Sequence, residues 1–151
     1  MQKPTRKIKV FIDTNVLIAG VNSVTGASAT ILDLCEAGVL QMVVSQQVLI
    51  EADRNFEAKF PELVGRFRQF IHNLAPLMVE DPTPASMEKA ATLVDRKDAP
   101  ILAAAQNANA DFLITLDKRH FLNPRMRPEV MLKVVSPREF LQSFQKLFLE
   151  E

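Results

Sequence analysis

The stretch FIDTNVLIA, from Phe11 to Ala19, decides how this chain folds, because its pattern changes from strand to helix at Asp13. The preceding residues, from Ile8 to Ile12, are rich in β-branched side chains, and the apolar run is unbroken from Val10. Such a run is typical of a strand buried on both faces. Thr14–Val21 then predicts a short helix. A buried strand that passes directly into a helix indicates an α/β protein.

The same alternation continues along the chain. Further strands are predicted at Leu40–Val44, Leu77–Val79, Phe112–Leu116 and Met131–Val135. Further helices are predicted at Ala27–Ala37, from an N-cap at Ser45 to about Lys59, from Pro61, from Ala85 to about Val94, from Asp98, and from Pro137. Right-handed crossovers then imply a mainly parallel sheet with helices on both faces, a three-layer α/β/α sandwich.

Length and charge set the outer limits. The 151 residues suit a single domain, residues 1–151, and 18 basic residues balance 18 acidic ones. Locally, the segment 118–138 carries Lys118, Arg119, Arg125, Arg127, Lys133 and Arg138 against Glu129 alone. Such a cluster either contacts phosphates or forms a solvated surface, and the sequence leaves both readings open.

Cysteine content and hydropathy bear on location. Cys35 is the single cysteine and follows an apolar helical face, which predicts a core residue in a reducing compartment. Asp13 interrupts the apolar region that a secretory signal would need. The uncharged stretch from Thr14 to Leu32 is too polar to span a bilayer. We therefore expect a cytoplasmic protein without membrane contact.

Four acids lie where an α/β protein builds an active site. Asp13 and Asp117 follow strands, Asp98 begins a helix, and Glu51 lies in the helix after Ser45. Each has an ordinary explanation as a helix cap, a turn residue or a solvated charge. Capping gives no reason for all four to converge, whereas a hard divalent cation needs oxygens from separate segments. The four together predict a metal site.

Other acids and other chemistries find less support. Asp111 precedes its strand and is expected at the opposite edge of the sheet, while Asp33 and Asp53 are expected to face solvent. Asp95, three residues before Asp98, is the least secure exclusion. Four glycines provide neither a dinucleotide fingerprint nor a phosphate loop, and the two histidines do not form a zinc site.

Three segments together resemble a known family. FIDTNVLIAG, SQQVLIEA and DAPILAAAQNANADFLITLDKRHF are similar in order and spacing to the PIN-domain ribonucleases, which include toxins of bacterial toxin–antitoxin pairs. The resemblance extends from about Ile8 to Phe140. It implies a sheet of four or five parallel strands, dependence on Mg²⁺ or Mn²⁺, an RNA substrate, a small antitoxin partner, and frequent homodimers.

The resemblance also assigns roles. Asp13, Glu51, Asp98 and Asp117 match the family's catalytic, metal-binding acids. Thr115 matches a Ser or Thr near the last acid, and Asn15 matches a polar residue that steadies the first turn. Where some relatives carry a further acid after the fourth, this chain has Lys118, Arg119 and His120, which places a second metal position in doubt.

The sequence thus predicts a metal-dependent endoribonuclease, the toxin of a toxin–antitoxin pair. Basic residues from Lys118 to Arg127 are predicted to hold the RNA backbone. One alternative is a noncatalytic PIN-like module that binds RNA or protein. Another is a phosphoacceptor domain of the response-regulator type, although the first strand offers one Asp where that chemistry needs an acid pair.

Overall fold

The computed structural model of the protein describes residues 6–121 and 132–149. In chain order the elements are β1 (Ile8–Ile12), α1 (Thr14–Asn22), α2 (Ala27–Glu36), β2 (Leu40–Ser45), α3 (Gln46–Lys59), a 3₁₀ turn (Pro61–Leu63), α4 (Val64–Leu74), β3 (Leu77–Val79), α5 (Pro84–Ala91), α6 (Ala99–Asn107), β4 (Phe112–Ile114), a second 3₁₀ turn (Lys118–His120), β5 (Lys133–Val135) and α7 (Pro137–Leu149).

Each predicted strand and helix has a counterpart, with shifts at the ends. The strand β4 stops at Ile114, two residues short of the prediction, and α5 stops at Ala91. The segment after Pro61 begins as a 3₁₀ turn before α4. Met131 and the predicted surface loop 123–129 lie outside the described residues.

All five strands pair in parallel, in the order β3-β2-β1-β4-β5. The chain first moves outward from β1 to β2 and β3, then returns to the other side of β1 for β4. Because parallel crossovers are right-handed, this reversal places the two sets of connecting helices on opposite faces. The observed contacts agree: α1 to α4 and α7 form one connected layer, while α5 and α6 pack together and α6 lies on β2, β3 and β4. The predicted three-layer sandwich is confirmed.

The central strand is shielded from water on both faces. Val10, Phe11 and Ile12 are fully buried, which explains the unbroken apolar run in the sequence. The terminal helix α7 closes one side, since Phe140 is buried against Phe112 with ring centroids 5.0 Å apart. Cys35 is buried as predicted, and burial raises the pKa of its thiol to about 12.

The length and the hydropathy of the helices bear on whether the chain could cross a membrane. Within the described part of the chain, no single helix is long and apolar enough to cross a membrane. The helices α1 and α2 together meet the criterion of length and composition, but a bend of 92° separates them.

Gly20 is required where α1 crosses α2. A Cβ at this position would collide with Leu32 Cδ1 and come within 2.8 Å of Leu32 Cγ. We expect Gly20→Ala to destabilise the protein by about 1–3 kcal/mol and to lower Tm by about 2–12 °C. Thermal unfolding measures this. Gly65→Ala in α4 is the matched control, because nothing lies within 4 Å of its added Cβ and helix propensity favours alanine by up to about 1 kcal/mol. Equal losses in both variants would contradict the packing explanation.

Candidate active site

The site is centred where two neighbouring strands end. The central pair β1 and β4 are in register at Ile12 and Ile114, and the amide of Asp13 donates to the carbonyl of Ile114 at 3.1 Å. This pairing sets Asp13 beside Thr115. It is also the point where the winding of the sheet reverses, and the crevice outside the carboxyl ends of such strands is the usual ligand site of an open α/β sheet.

The hydroxyl of Thr115 joins the first and fourth acidic segments. It donates to Asp13 Oδ2 at 2.8 Å and accepts from the amide of Asp117 at 3.2 Å. Its residue is only 1% exposed, so these bonds form away from bulk water. Thr115 therefore fixes the orientation of the Asp13 carboxylate and the position of the Asp117 backbone together.

Glu51 reaches the same edge from α3. This helix begins directly after β2, with Ser45 Oγ capping the amide of Val48 at 3.3 Å. The residue is exposed, but its carboxylate is held by two donors: Thr14 Oγ1 at 3.1 Å and Gln47 Nε2 at 3.3 Å. Glu51 is therefore oriented toward β1 rather than freely solvated.

Asp98 lies directly before α6, at its N-cap position, and is close enough to Asp13 for their charges to interact. The sequence offered helix capping as its ordinary explanation, yet its side chain makes no capping bond to that helix. Its Oδ2 atom is buried. The capping explanation is wrong for this residue, while at Asp13 it is confirmed because Oδ1 accepts from the Thr14 amide at 2.8 Å.

The pKa of Asp13 reflects its burial and the nearby charges of the other acids. Burial raises it above the ordinary value of 3.8, and the charges of Glu51 and Asp98 raise it further. Hydrogen bonds from Thr115 and Thr14 act in the opposite direction without cancelling the rise. Asp13 and Asp98, both partly buried, and the exposed Glu51 come from three separate segments and interact electrostatically.

Asp117, the fourth acid, forms an ion pair with Arg119. Arg119 Nε donates to Asp117 Oδ1 at 3.3 Å, and Arg119 itself is largely exposed. Lys118 is bound to Glu139 on α7 at 2.6 Å. Lys118 and Arg119, the described lysine and arginine of the segment predicted to hold RNA (Lys118 to Arg127), therefore both have acidic partners. Arg125, Arg127 and the side chain of His120 lie outside the described residues.

The acids set aside in the sequence are exposed or paired with cations outside this set. Asp111 is at the opposite edge of the sheet, as predicted. There it accepts two hydrogen bonds of 2.9 Å from Arg6 and one of 2.8 Å from the Lys9 amide. Asp33 and Asp95 are exposed. Asp53 was expected to face solvent, but it is half-buried and bound to Arg68 of α4 at 2.8 Å.

Two polar residues of the site were missed in the sequence. Thr14, rather than the exposed Asn15, makes the bonds that steady the first turn. Asp81 follows β3 by two residues and lies in a cleft with Glu51. The strand-end argument that identified Asp13 also applies to Asp81, since the predicted strand Leu77–Val79 ends two residues before it, but the prolines at 82 and 84 favoured a turn.

The donors suit a hard divalent cation by their chemistry. Carboxylate oxygens from several segments, crowded enough to raise the pKa of one of them, are the ligands that Mg²⁺ and Mn²⁺ prefer. Among residues 6–121 and 132–149, no three acidic, histidine or cysteine side chains stand close enough to form a complete metal-binding group. The acids fit such an ion in kind and charge, and closing around it requires side-chain movement.

Comparison with known proteins identifies the family. The PIN domain family matches residues 9–119, which is most of the chain and includes all four acids. The chain belongs to the PIN-domain family. Functionally curated proteins give no match. The family match favours the nuclease-like interpretation over the phosphoacceptor alternative.

Solved structures share the fold at low sequence identity. PAE2754 from Pyrobaculum aerophilum aligns with a TM-score of 0.63 and 13% identity, covering 91% of this chain and 96% of that one. FitAcB from Neisseria gonorrhoeae gives 0.62 and 18%, covering 85% and 98%. VapBC2 from Rickettsia felis, solved with a DNA fragment from its promoter, gives 0.60 and 16%, covering 85% and 98%.

Asp13→Asn should stabilise the metal-free protein at neutral pH. A raised folded-state pKa means that stability is fully present below the unfolded value and is lost as the pH rises through the folded value. Removing the charge avoids this loss. In EDTA we expect a higher Tm than wild type at pH 7.5 and a difference that shrinks toward pH 4. Exposed Asp33→Asn is the control, and a lower Tm for Asp13→Asn at pH 7.5 would refute the electrostatic argument.

Thr115→Val should loosen the site while keeping its volume. The change removes the donor to Asp13 and the acceptor for the Asp117 amide, at a cost of about 1–3 kcal/mol. Tm should fall by about 2–12 °C, whereas Thr115→Ser, which retains the hydroxyl, should lose less. If both variants unfold at the same temperature, the hydroxyl bonds contribute little.

Proposed function

We propose that this protein is a metal-dependent endoribonuclease that hydrolyses RNA phosphodiester bonds. The observation that supports it is the half-buried Asp13 carboxylate: Thr115 fixes its orientation, and its pKa is raised mainly by burial and further by the charges of Glu51 and Asp98. A fold that needed only caps and surface charges would keep these acids apart. Membership in the PIN-domain family agrees with nuclease chemistry.

The residues divide the work as follows. Asp13 and Asp98 are the direct ligands of the ion, and Asp117 and Glu51 complete the shell directly or through water. Thr115 acts on Asp13 by holding one of its oxygens, Oδ2, and leaving Oδ1 to the Thr14 amide. Bound Mg²⁺ or Mn²⁺ would offset the clustered charge, acidify a water and stabilise the departing oxygen. In hydrolysis the water oxygen joins phosphorus, one P–O bond breaks, and the departing oxygen takes a proton.

Arg119 has a role in retaining RNA. Its ion pair with Asp117 is exposed, and exposed pairs are worth little because water competes for both charges. An RNA phosphate near the site offers Arg119 an equivalent anionic partner. Exchange of one for the other removes the Arg119 charge from the Asp117 carboxylate as substrate arrives.

The biological setting follows from fold and family. The similarity to VapBC2 and FitAcB supports a toxin with a small antitoxin protein as its partner. The buried, unpaired thiol of Cys35 suits the reducing cytoplasm, where RNA is available. Phe140 packs in the core of its own chain, and the remainder of α7 would contribute in part to the homodimer that the family implies.

A noncatalytic PIN-like module that binds RNA or protein is the second candidate. The observation in its favour is the Arg119–Asp117 ion pair, which supplies a cation to the fourth acid from within the chain. RNA binding without cleavage at saturating Mn²⁺ would support this candidate and exclude the first.

Mn²⁺ binding and RNA cleavage should fail together when the acids are changed. We expect Asp13→Asn and Asp98→Asn each to weaken Mn²⁺ binding by about tenfold or more in calorimetry and to abolish cleavage of a labelled single-stranded RNA. At an Mn²⁺ concentration of about 100 times Kd, wild type should gain about 2.7 kcal/mol of stability.

Asp33→Asn on α2 is the matched control, because it removes one exposed carboxylate distant from these acids. It should bind Mn²⁺ and cleave RNA as wild type does. If folded Asp13→Asn and Asp98→Asn both bind Mn²⁺ with the wild-type affinity, these acids are not metal ligands and their roles are structural.

A further inference from the structure

A cleft is lined by Glu51 together with residues of α3, the β3–α5 loop, α5 and α6. Its volume is about 650 Å³, within the range of about 300–1,000 Å³ typical of pockets for small organic ligands. One wall is the exposed face of α3, with Gln47, Ile50 and Arg54. The facing wall comes from the β3–α5 loop, Met87 of α5 and Pro100 of α6. Glu51 lines the cleft and Pro100 follows Asp98 by two residues, so the cleft borders the acidic site.

The apolar part of the lining suits a flat ring. Ile50 is a large aliphatic residue left 42% exposed on an otherwise polar helical face, so packing within the chain does not explain it. Pro82, Met87 and Pro100 face the same space from the other wall. Aliphatic and proline surfaces accept the face of a nucleobase, and methionine adapts its shape to it.

The polar part of the lining carries two opposite charges, Asp81 in the β3–α5 loop and Arg54 on α3. Asp81 makes no hydrogen bond or ion pair with the described residues, and a carboxylate only accepts. It therefore selects a neutral group that donates N–H bonds and repels a phosphate. Arg54, which likewise makes no ion pair with the described residues, lies one helical turn from Glu51 and suits the phosphate that leads to the acids.

We propose that this cleft is a subsite for one unpaired nucleobase of the RNA, with Asp81 reading its donor edge and Arg54 holding the adjoining phosphate. This inference rests on the proposed nuclease function. Guanine is the favoured base, because its N1–H and amino group present two parallel donors to the two carboxylate oxygens. Adenine and cytosine present one amino group, and uracil flanks a single N–H with two repelling carbonyl oxygens.

Binding in EDTA, where the proposed reaction stops, tests the subsite without cleavage. The probes are fluorescein-labelled uridine nonamers with G, A, C or U at the central position, read by fluorescence anisotropy. Wild type should bind the G probe about fivefold or more tighter than the U probe. Asp81→Asn should reduce this preference to less than twofold, because the amide keeps one acceptor oxygen and places an N–H donor where the carboxylate had its second oxygen. Asp33→Asn, with the same change of charge on α2, should keep it.

Arg54 has a separate signature. Arg54→Ala should weaken all four probes equally and reduce the salt dependence by about one phosphate contact. Arg66→Ala on the exposed side of α4 is its control and should have no effect. Equal binding of the four probes by wild type, or a G preference that survives Asp81→Asn, would overturn the subsite.

The outcome also separates this inference from the proposed function. Cleavage of all four probes in Mn²⁺ at equal rates, with equal binding in EDTA, keeps the nuclease and removes the subsite. A G preference that depends on Asp81, with no cleavage by wild type in Mn²⁺, keeps the subsite and removes the nuclease.

Discussion

The parallel pairing of β1 with β4 is the constraint on which the site depends. It brings together two strand ends that are about a hundred residues apart in the chain, and one threonine hydroxyl then spans them. A slip of one residue in this pairing would turn Thr115 away from Asp13, because side chains alternate across a strand. The burial of both strands fixes the register, since every alternative exposes apolar side chains to water or buries polar ones. The hydrophobic core thereby determines the geometry of a polar site.

Much of this arrangement could be read from the sequence, and the reason is physical. Buried parallel strands produce apolar runs such as Val10–Ile12, and helix starts have strong local signals such as Ser45 and Pro137. The convergence of Asp13, Glu51 and Asp98 followed from topology, because strands of one parallel sheet end at one edge. Their metal-binding and catalytic roles stay predictions.

Other features depended on contacts that no local pattern encodes. The choice of Thr14 over Asn15 as the partner of Glu51 is set by the rotation of α1 against α3. The ion pair between Arg119 and Asp117 arises from the 3₁₀ turn at 118–120, which appeared in the sequence only as a run of charge. Asp81 becomes a candidate binding residue because it lines a cleft with residues of α3 and α6, which are distant in sequence. In each case tertiary structure, not propensity, assigns the side chain its neighbours.

The central place of β1 has a consequence for the protein while it is being made. The strand β1 leaves the ribosome well before its β4 neighbour, which begins at Phe112. Until then one edge of β1 lies open, with its amides and carbonyls unpaired. Asp13 meanwhile lacks the hydroxyl that orients it. A chain built in this order cannot form the Asp13–Thr115 hydrogen bond until about a hundred further residues have been made, so the geometry of the site is completed late in folding.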